Sequence, residues 1–206
     1  MTEQAAVAEA GLRERKRAHS RAMAVDVALR LFAERGFDEV TVADICAAAQ
    51  IAPRTFFRYF PTKDDVLAEP AREMAARVTA AIATAPAELD DAAVLTLALR
   101  RLGEHVVANQ ARLAVFFAVA ARSVAVRSNP FLHLSGRERQ LTEQLTARRE
   151  DADPADWRTR LLVARSVAAF RVWLDDVSGA ADPTGPAGTA GPADLLAHLD
   201  EVLAAR

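Results

Sequence analysis

Apolar residues recur along almost the whole chain with helical spacing, and period-two alternation is nearly absent. From about Ser20, the positions Ala24, Val25, Ala28, Leu29 and Phe32 fall on one face, and Gly36 supplies a C′ stop. Thr41 suits the N-cap of a short helix in which Val42, Ile45 and Ala49 share a face, with Asp44 placed as in a capping box. Pro53 fits the first turn of another helix, where its missing N–H costs nothing. Thr62 and Asp65 repeat the capping pattern and open a helix to about Thr84, which Pro70 should kink or restart. Asp90 or Asp91 begins a helix to about Asn109, and another runs from Gln110 to about Arg127. Asn129-Pro130 and Asp153-Pro154 open helices over roughly 131–149 and 154–178. The Gly-, Pro- and Ala-rich stretch 179–192 reads as a loop, and Leu195, Leu196, Leu199, Val202 and Leu203 form a last stripe. The pattern predicts an all-α fold of about nine helices without an internal repeat.

The front of the chain has a more specific organisation. Helices near 22–35, 42–48 and 53–59, with Ala49 to Ala52 as the turn between the last two, fit a helix-turn-helix unit. Such a unit inserts the N-terminal residues of its last helix into the major groove. Phe56 and Phe60 stand four apart and should face inward toward Val42, Ile45 and Phe32. Arg54 and Arg58 make another such pair on a different face, and Arg13, Arg15, Lys16 and Arg17 form a basic run in an arm over 1–18.

Composition narrows the alternatives. With 51% hydrophobic and 26% charged residues the chain is of a globular, soluble type. A polar start and the lack of a long apolar run argue against export and membrane insertion. Cys46 is the single cysteine, which fits the cytoplasm and excludes an internal disulfide or a thiolate metal cluster. The net charge of −2 argues against a general polyanion binder. It is unevenly distributed, however. Residues 11–63 hold ten Lys/Arg against six Asp/Glu, a balance of +4, whereas residues 64–206 hold sixteen against twenty, or −4. A basic front on an acidic body suits local contact with nucleic acid. His19, His105, His133 and His198 are dispersed, and no phosphate loop, nucleophile elbow or metal motif is present. The expectation is a non-enzyme without metal or cofactor.

The segments TVADICAAAQIAPRTFFRYFPTKDDVL (Thr41–Leu67) and ALRLFAERGFDEVTV (Ala28–Val42) resemble the TetR family of one-component transcriptional repressors. The resemblance covers about a quarter of the chain. It implies a helix-turn-helix DNA-binding domain over 19–63 and an effector-binding and dimerisation domain over 64–206. By resemblance, Phe57 and Tyr59 touch the sugar–phosphate backbone, and Thr41 and Lys63 hold phosphates. Pro53, Arg54, Thr55 and Arg58 lie where bases are read. Arginine's planar fork can meet guanine O6 and N7 bidentately. The basic arm would lie near the minor groove or backbone, although a solvated tail accounts for it equally well. Three departures stand out. Phe57 replaces the usual tyrosine, Gln50 stands where glycine is frequent, and Ala52 where a serine cap is common.

Family members bind palindromic operators as dimers, and two helices carry apolar residues in excess of one small core. Leu161, Leu162, Val167, Phe170, Trp173 and Leu174 lie on one, and Leu195, Leu199, Val202 and Leu203 on the other. A four-helix bundle between subunits would bury them, although Phe170 and Trp173 also suit a core within one chain. The family places its effector among the middle helices. Leu99, Leu102, Val106, Phe116, Phe117, Phe131, Leu134 and Phe170 offer apolar lining there, with His105, Arg122, His133 and Arg171 as polar anchors. That mix suits a small lipophilic effector. APRTFFRYFPTKDD also resembles a subgroup, common in actinobacteria, that includes regulators responding to long-chain acyl-CoA. The rival reading is a helical ligand-binding or scaffolding protein without DNA binding.

Overall fold

The computed structural model describes residues 2–122, 134–149, 156–179 and 190–205. Among these residues it is all-helical, in two units: residues 1–69 with 118–126, and residues 70–117 with 127–206. No described helix is long and apolar enough to cross a membrane.

The first unit opens with α1, Thr2–Arg35, so the segment expected as an arm continues the first helix. Ala, Glu and Arg dominate that segment and favour helix, with Gly11 the main weak point. Ala24, Val25, Ala28, Leu29 and Phe32 are buried, as their spacing predicts. The helix stops at Gly36, whose φ of 88° only glycine adopts freely and whose N–H donates to Phe32 O at 3.0 Å. α2 (Val42–Ala48), α3 (Pro53–Tyr59) and α4 (Lys63–Leu67) follow. Complete capping boxes start α2 at Thr41/Asp44 and α4 at Thr62/Asp65. α1 packs on α2 and α4, and α2 on α3, around Phe32, Ile45, Phe56, Phe60 and Leu67. α5 (Glu69–Ala83) restarts the chain with Pro70 in its first turn, where proline leaves no helical hydrogen bond unmade.

In the second unit α5 is followed by α6 (Asp91–Ala108) and α7 (Gln110–Arg122), whose last residues from Ala118 belong to the first unit. Then come α8 (Leu134–Thr146), α9 (Trp157–Gly179) and α10 (Pro192–Ala204). Asp90 caps α6 by accepting from Ala93 N at 2.8 Å. α9 packs on α8, α10 and α6, and α10 packs on α6. Gly103 permits the last contact, because a β-carbon there would collide with Leu199 Cδ2. Arg100 and Asp200 close the same seam with an ion pair. The Asn129-Pro130 and Asp153-Pro154 starts, and most of the 179–192 loop, lie outside the described residues.

This packing changes the expectation for the subunit interface. Trp173, Leu195 and Leu199 are buried inside the single chain, and Trp173 Nε1 donates to Leu195 O at 2.8 Å. The close approach at Gly103 lets α10 cover Trp173, so these three belong to the core of the unit. Phe170 lies beside Trp173, ring centres 5.1 Å apart, and is likewise buried.

Candidate nucleic-acid interface

The turn between α2 and α3 is held by Ala49 N–H to Ile45 O at 2.8 Å and Ile51 N–H to Cys46 O at 3.0 Å. Gln50 sits in it with φ of 53°, the left-handed conformation that the missing glycine would favour. A β-carbon there costs about 1–2 kcal/mol. Ala52 is the N-cap of α3 and makes no side-chain cap, which forfeits about 1 kcal/mol. Pro53 at the first position offsets part of that loss by fixing φ in advance.

α3 divides its rings between two environments. Phe56 and Phe60 are 0% exposed, with ring centres 5.5 Å apart. Phe57 is 55% exposed, and Tyr59 is half-buried. Pro53, Arg54 and Arg58 face solvent, and Thr55 is half-buried. The first turn of α3 has no acidic residue, so the exposed face is positive. Arg58 lies against Tyr59, its Nη2 donating to the phenol oxygen at 3.2 Å and its guanidinium 5.0 Å from the ring centre. Arg17 of α1 approaches the same ring at 6.0 Å. Arg21, one turn later, stacks 5.3 Å from Phe60 and pairs with Glu69 at 2.8 Å.

Thr41 and Lys63, implied to hold phosphates, both have internal partners. Thr41 Oγ1 donates to Asp44 Oδ2 at 2.5 Å and accepts from Asp44 N–H at 3.1 Å. The bonds that Asp44 Oδ2 accepts from the Thr41 hydroxyl and, at 2.9 Å, from the Thr41 N–H hold the carboxyl below its ordinary pKa. Lys63 Nζ reaches the carbonyls of Phe37 at 2.7 Å, Val40 at 2.9 Å and Asp38 at 3.5 Å, and sits 4.3 Å from the Phe37 ring centre. An ammonium has three donors, and all three face the loop between α1 and α2. Sequence reasoning missed this clamp, because its acceptors lie 23–26 residues away and are backbone atoms.

The proposed effector residues separate in the second unit. Leu102, His105, Val106, Phe116 and Phe170 are buried, and Phe117 is half-buried with its ring 5.1 Å from Phe116. Arg171 is exposed, since Val163, Phe170, Trp173 and Val177 define the inner face of α9 and Arg171 lies off it. Phe131, His133 and the side chain of Arg122 lie outside the described residues. Around His105 stand Glu73, Arg77, Asn109 and Arg112, none expected from sequence. The four-residue spacings Glu73/Arg77 and His105/Asn109 were the available signal.

Capped α2, the turn at Gln50 and the two-faced α3 define a helix-turn-helix unit. Residues 24–69 match the bacterial regulatory proteins of the tetR family. That match covers the helix-turn-helix domain, about a fifth of the chain. The HTH-type transcriptional regulator TcmR of Streptomyces glaucescens is 38% identical over 77 residues, 37% of this chain and 34% of that protein. The putative mycofactocin biosynthesis regulator MftR of Mycobacterium tuberculosis is 54% identical over 41 residues, 20% of this chain and 21% of that one. The matches thus span about a third and a fifth of these relatives. Among solved structures, a TetR-like regulator from Rhodococcus sp. RHA1 aligns with TM-score 0.53 and 20% identity, covering 89% of this chain and 93% of that one. FadR from Bacillus subtilis, in complex with stearoyl-CoA, aligns with TM-score 0.53 and 18% identity over 88% and 95%. At these identities the structures share the fold with this chain.

Proposed function

We propose that the protein is a ligand-responsive transcriptional repressor that binds a palindromic operator as a homodimer. The division of α3 carries this reading: Phe56 and Phe60 anchor the helix while Arg54 and Arg58 present a positive, solvent-facing edge. Arg54 and Arg58 read bases, with Pro53 and Thr55 beside them. Phe57 and Tyr59 meet the backbone. Thr41 and Lys63 act at the phosphates by shaping the helix starts and loop, their charge and dipoles adding to a field favourable to anions. Selection of duplexes from a random library tests the reading, with a recovered palindrome as the expected outcome. Recovery of no enriched sequence refutes it.

Dimerisation is assigned to α9 and α10. Trp157, Leu161 and Val172 are 59%, 49% and 52% exposed and fall on one stripe of α9, unusual for large apolar residues. Val167, Leu174 and Val202 are half-buried and complete the surface at its edges. Leu161→Glu is expected to give monomers in light scattering, and an unchanged dimer removes this assignment.

The effector is a small lipophilic molecule in the second unit, lined by residues such as Leu102, Val106, Phe116, Phe117 and Phe170. Acyl-CoA is the class the sequence resemblance names, and stearoyl-CoA is bound by the FadR neighbour. Release is a population shift, so the ligand works only through its differential affinity for the two states. Addition of acyl-CoA to the operator complex should release DNA.

A further inference from the structure

α3 ends in a stack that takes in one of its two exposed arginines. Phe60 is fully buried, and the Tyr59 ring packs edge-on against it with centres 6.1 Å apart. Tyr59, the only tyrosine of the chain, is half-buried, so its ring is a platform fixed to the core. Two guanidiniums lie against that platform, Arg58 at 5.0 Å and Arg17 of α1 at 6.0 Å from its centre. Arg58 Nη2 also donates to the phenol oxygen at 3.2 Å.

Helix geometry alone does not supply this contact. Residues one apart in a helix point in different directions, so the Arg58 side chain turns along α3 to reach Tyr59. Neither Arg58 nor Arg17 pairs with a carboxylate among the described residues, and the ring is the partner that both share. Arg54 is exposed like Arg58 but makes no comparable contact among the described residues. A free arginine side chain spreads over many rotamers, and ordering it on DNA costs entropy. A guanidinium already held on a fixed ring has lost part of that freedom before DNA arrives.

We propose that Tyr59 is a positioning residue for base readout, its ring and hydroxyl holding the Arg58 guanidinium toward the base edge while Arg17 steadies the ring from α1. This rests on the reading of Arg58 as a base reader. It adds to the backbone contact of Tyr59, because a hydroxyl that accepts from Arg58 still has its own O–H to donate to a phosphate. A phosphate contact by itself carries no sequence information, whereas an oriented guanidinium does. The two roles therefore separate in the ratio of affinities for a selected duplex and its scrambled form.

Fluorescence anisotropy with both duplexes tests the proposal on the full chain. Tyr59→Phe keeps the ring and deletes the acceptor, and should lower the preference for the selected duplex about fivefold, the size of one hydrogen bond. The loss should add to that of Arg54→Ala and vanish in an Arg58→Ala background. Arg17→Gln should lower the preference about twofold, the low end for an exposed cation–π contact. In the free protein, ¹³C-tyrosine labelling gives one ring signal, which Arg58→Ala should shift. An unmoved signal, or a Tyr59→Phe loss that is equal on both duplexes or persists without Arg58, overturns the proposal while the base-reading role of Arg58 stands. A higher preference in Tyr59→Phe also overturns it, since the ring would then park Arg58 away from the bases. Equal weakening of both duplexes by Arg17→Gln removes Arg17 from the stack and leaves it a phosphate contact. A wild type without preference removes the base reading itself, and the proposal with it.

Discussion

Replacing Lys63 by methionine keeps most of the aliphatic stem and its contact with the Phe37 ring while deleting the ammonium. Two bonds at 2.7 and 2.9 Å to the carbonyls of Phe37 and Val40 are lost, along with the longer one to Asp38. Hydrogen bonds from charged donors contribute about 1.5–3 kcal/mol each, but Lys63 is half-exposed and water can replace part of the interaction. Discounted for that exchange, the whole set is worth about as much as one such bond, about 2 kcal/mol. For a chain of this length that lowers Tm by about 4–8 °C. Circular dichroism melting measures it. The same variant separates positioning from phosphate contact through the salt dependence of operator binding. A lost phosphate contact lowers the slope by about 0.9 per subunit. The clamp predicts weaker binding with an unchanged slope. A normal Tm with a reduced slope refutes the reasoning, because the ammonium would then act on DNA and not on the loop.

Gln50→Gly removes a β-carbon from a φ of 53° and should stabilise the protein by about 0.5–1 kcal/mol after the entropy of the freer unfolded chain is subtracted; denaturant unfolding at unchanged m-value checks it. Gly103→Ala should cost about 1–3 kcal/mol by forcing α10 away from α6, read as a lower urea midpoint. His105 resists protonation in the folded state, so the unfolded chain takes up the proton first and stability falls as pH drops below the ordinary value of 6.5. His105→Gln should flatten that fall in melts between neutral pH and the onset of carboxylate titration. An identical pH profile in the variant would count against the buried neutral imidazole.

Much of the first unit was legible in the sequence because its determinants are local. Four-residue spacing separated Phe56 and Phe60 from Arg54 and Arg58, and Gln50 and Ala52 were recognisable as strained or uncapped. Lys63 was legible as a cation at a helix start but not as a clamp, since its acceptors are carbonyls of a distant loop. In the second unit, tertiary packing decided what periodicity could not. The apolar stripe of α10 suits a partner subunit as well as α6 and α9, and Gly103 determines which surface covers Trp173. Arg171 follows the inner face of α9 by one residue, and only the register of Phe170 and Trp173 turns it outward. The His105 cluster joins three helices whose relative rotation no spacing rule supplies. Residues 2–18 continue α1, and Arg17 against Tyr59 gives that basic run a fixed neighbour.

The account turns on Arg54 and Arg58 as readers of base sequence. Fluorescence anisotropy with a duplex selected by the wild-type protein, and with the same duplex scrambled, measures this directly. Wild type should prefer the selected duplex, and Arg54→Ala and Arg58→Ala should each reduce that preference by about 5- to 150-fold. An unchanged preference in both variants, with folding intact, would contradict the account.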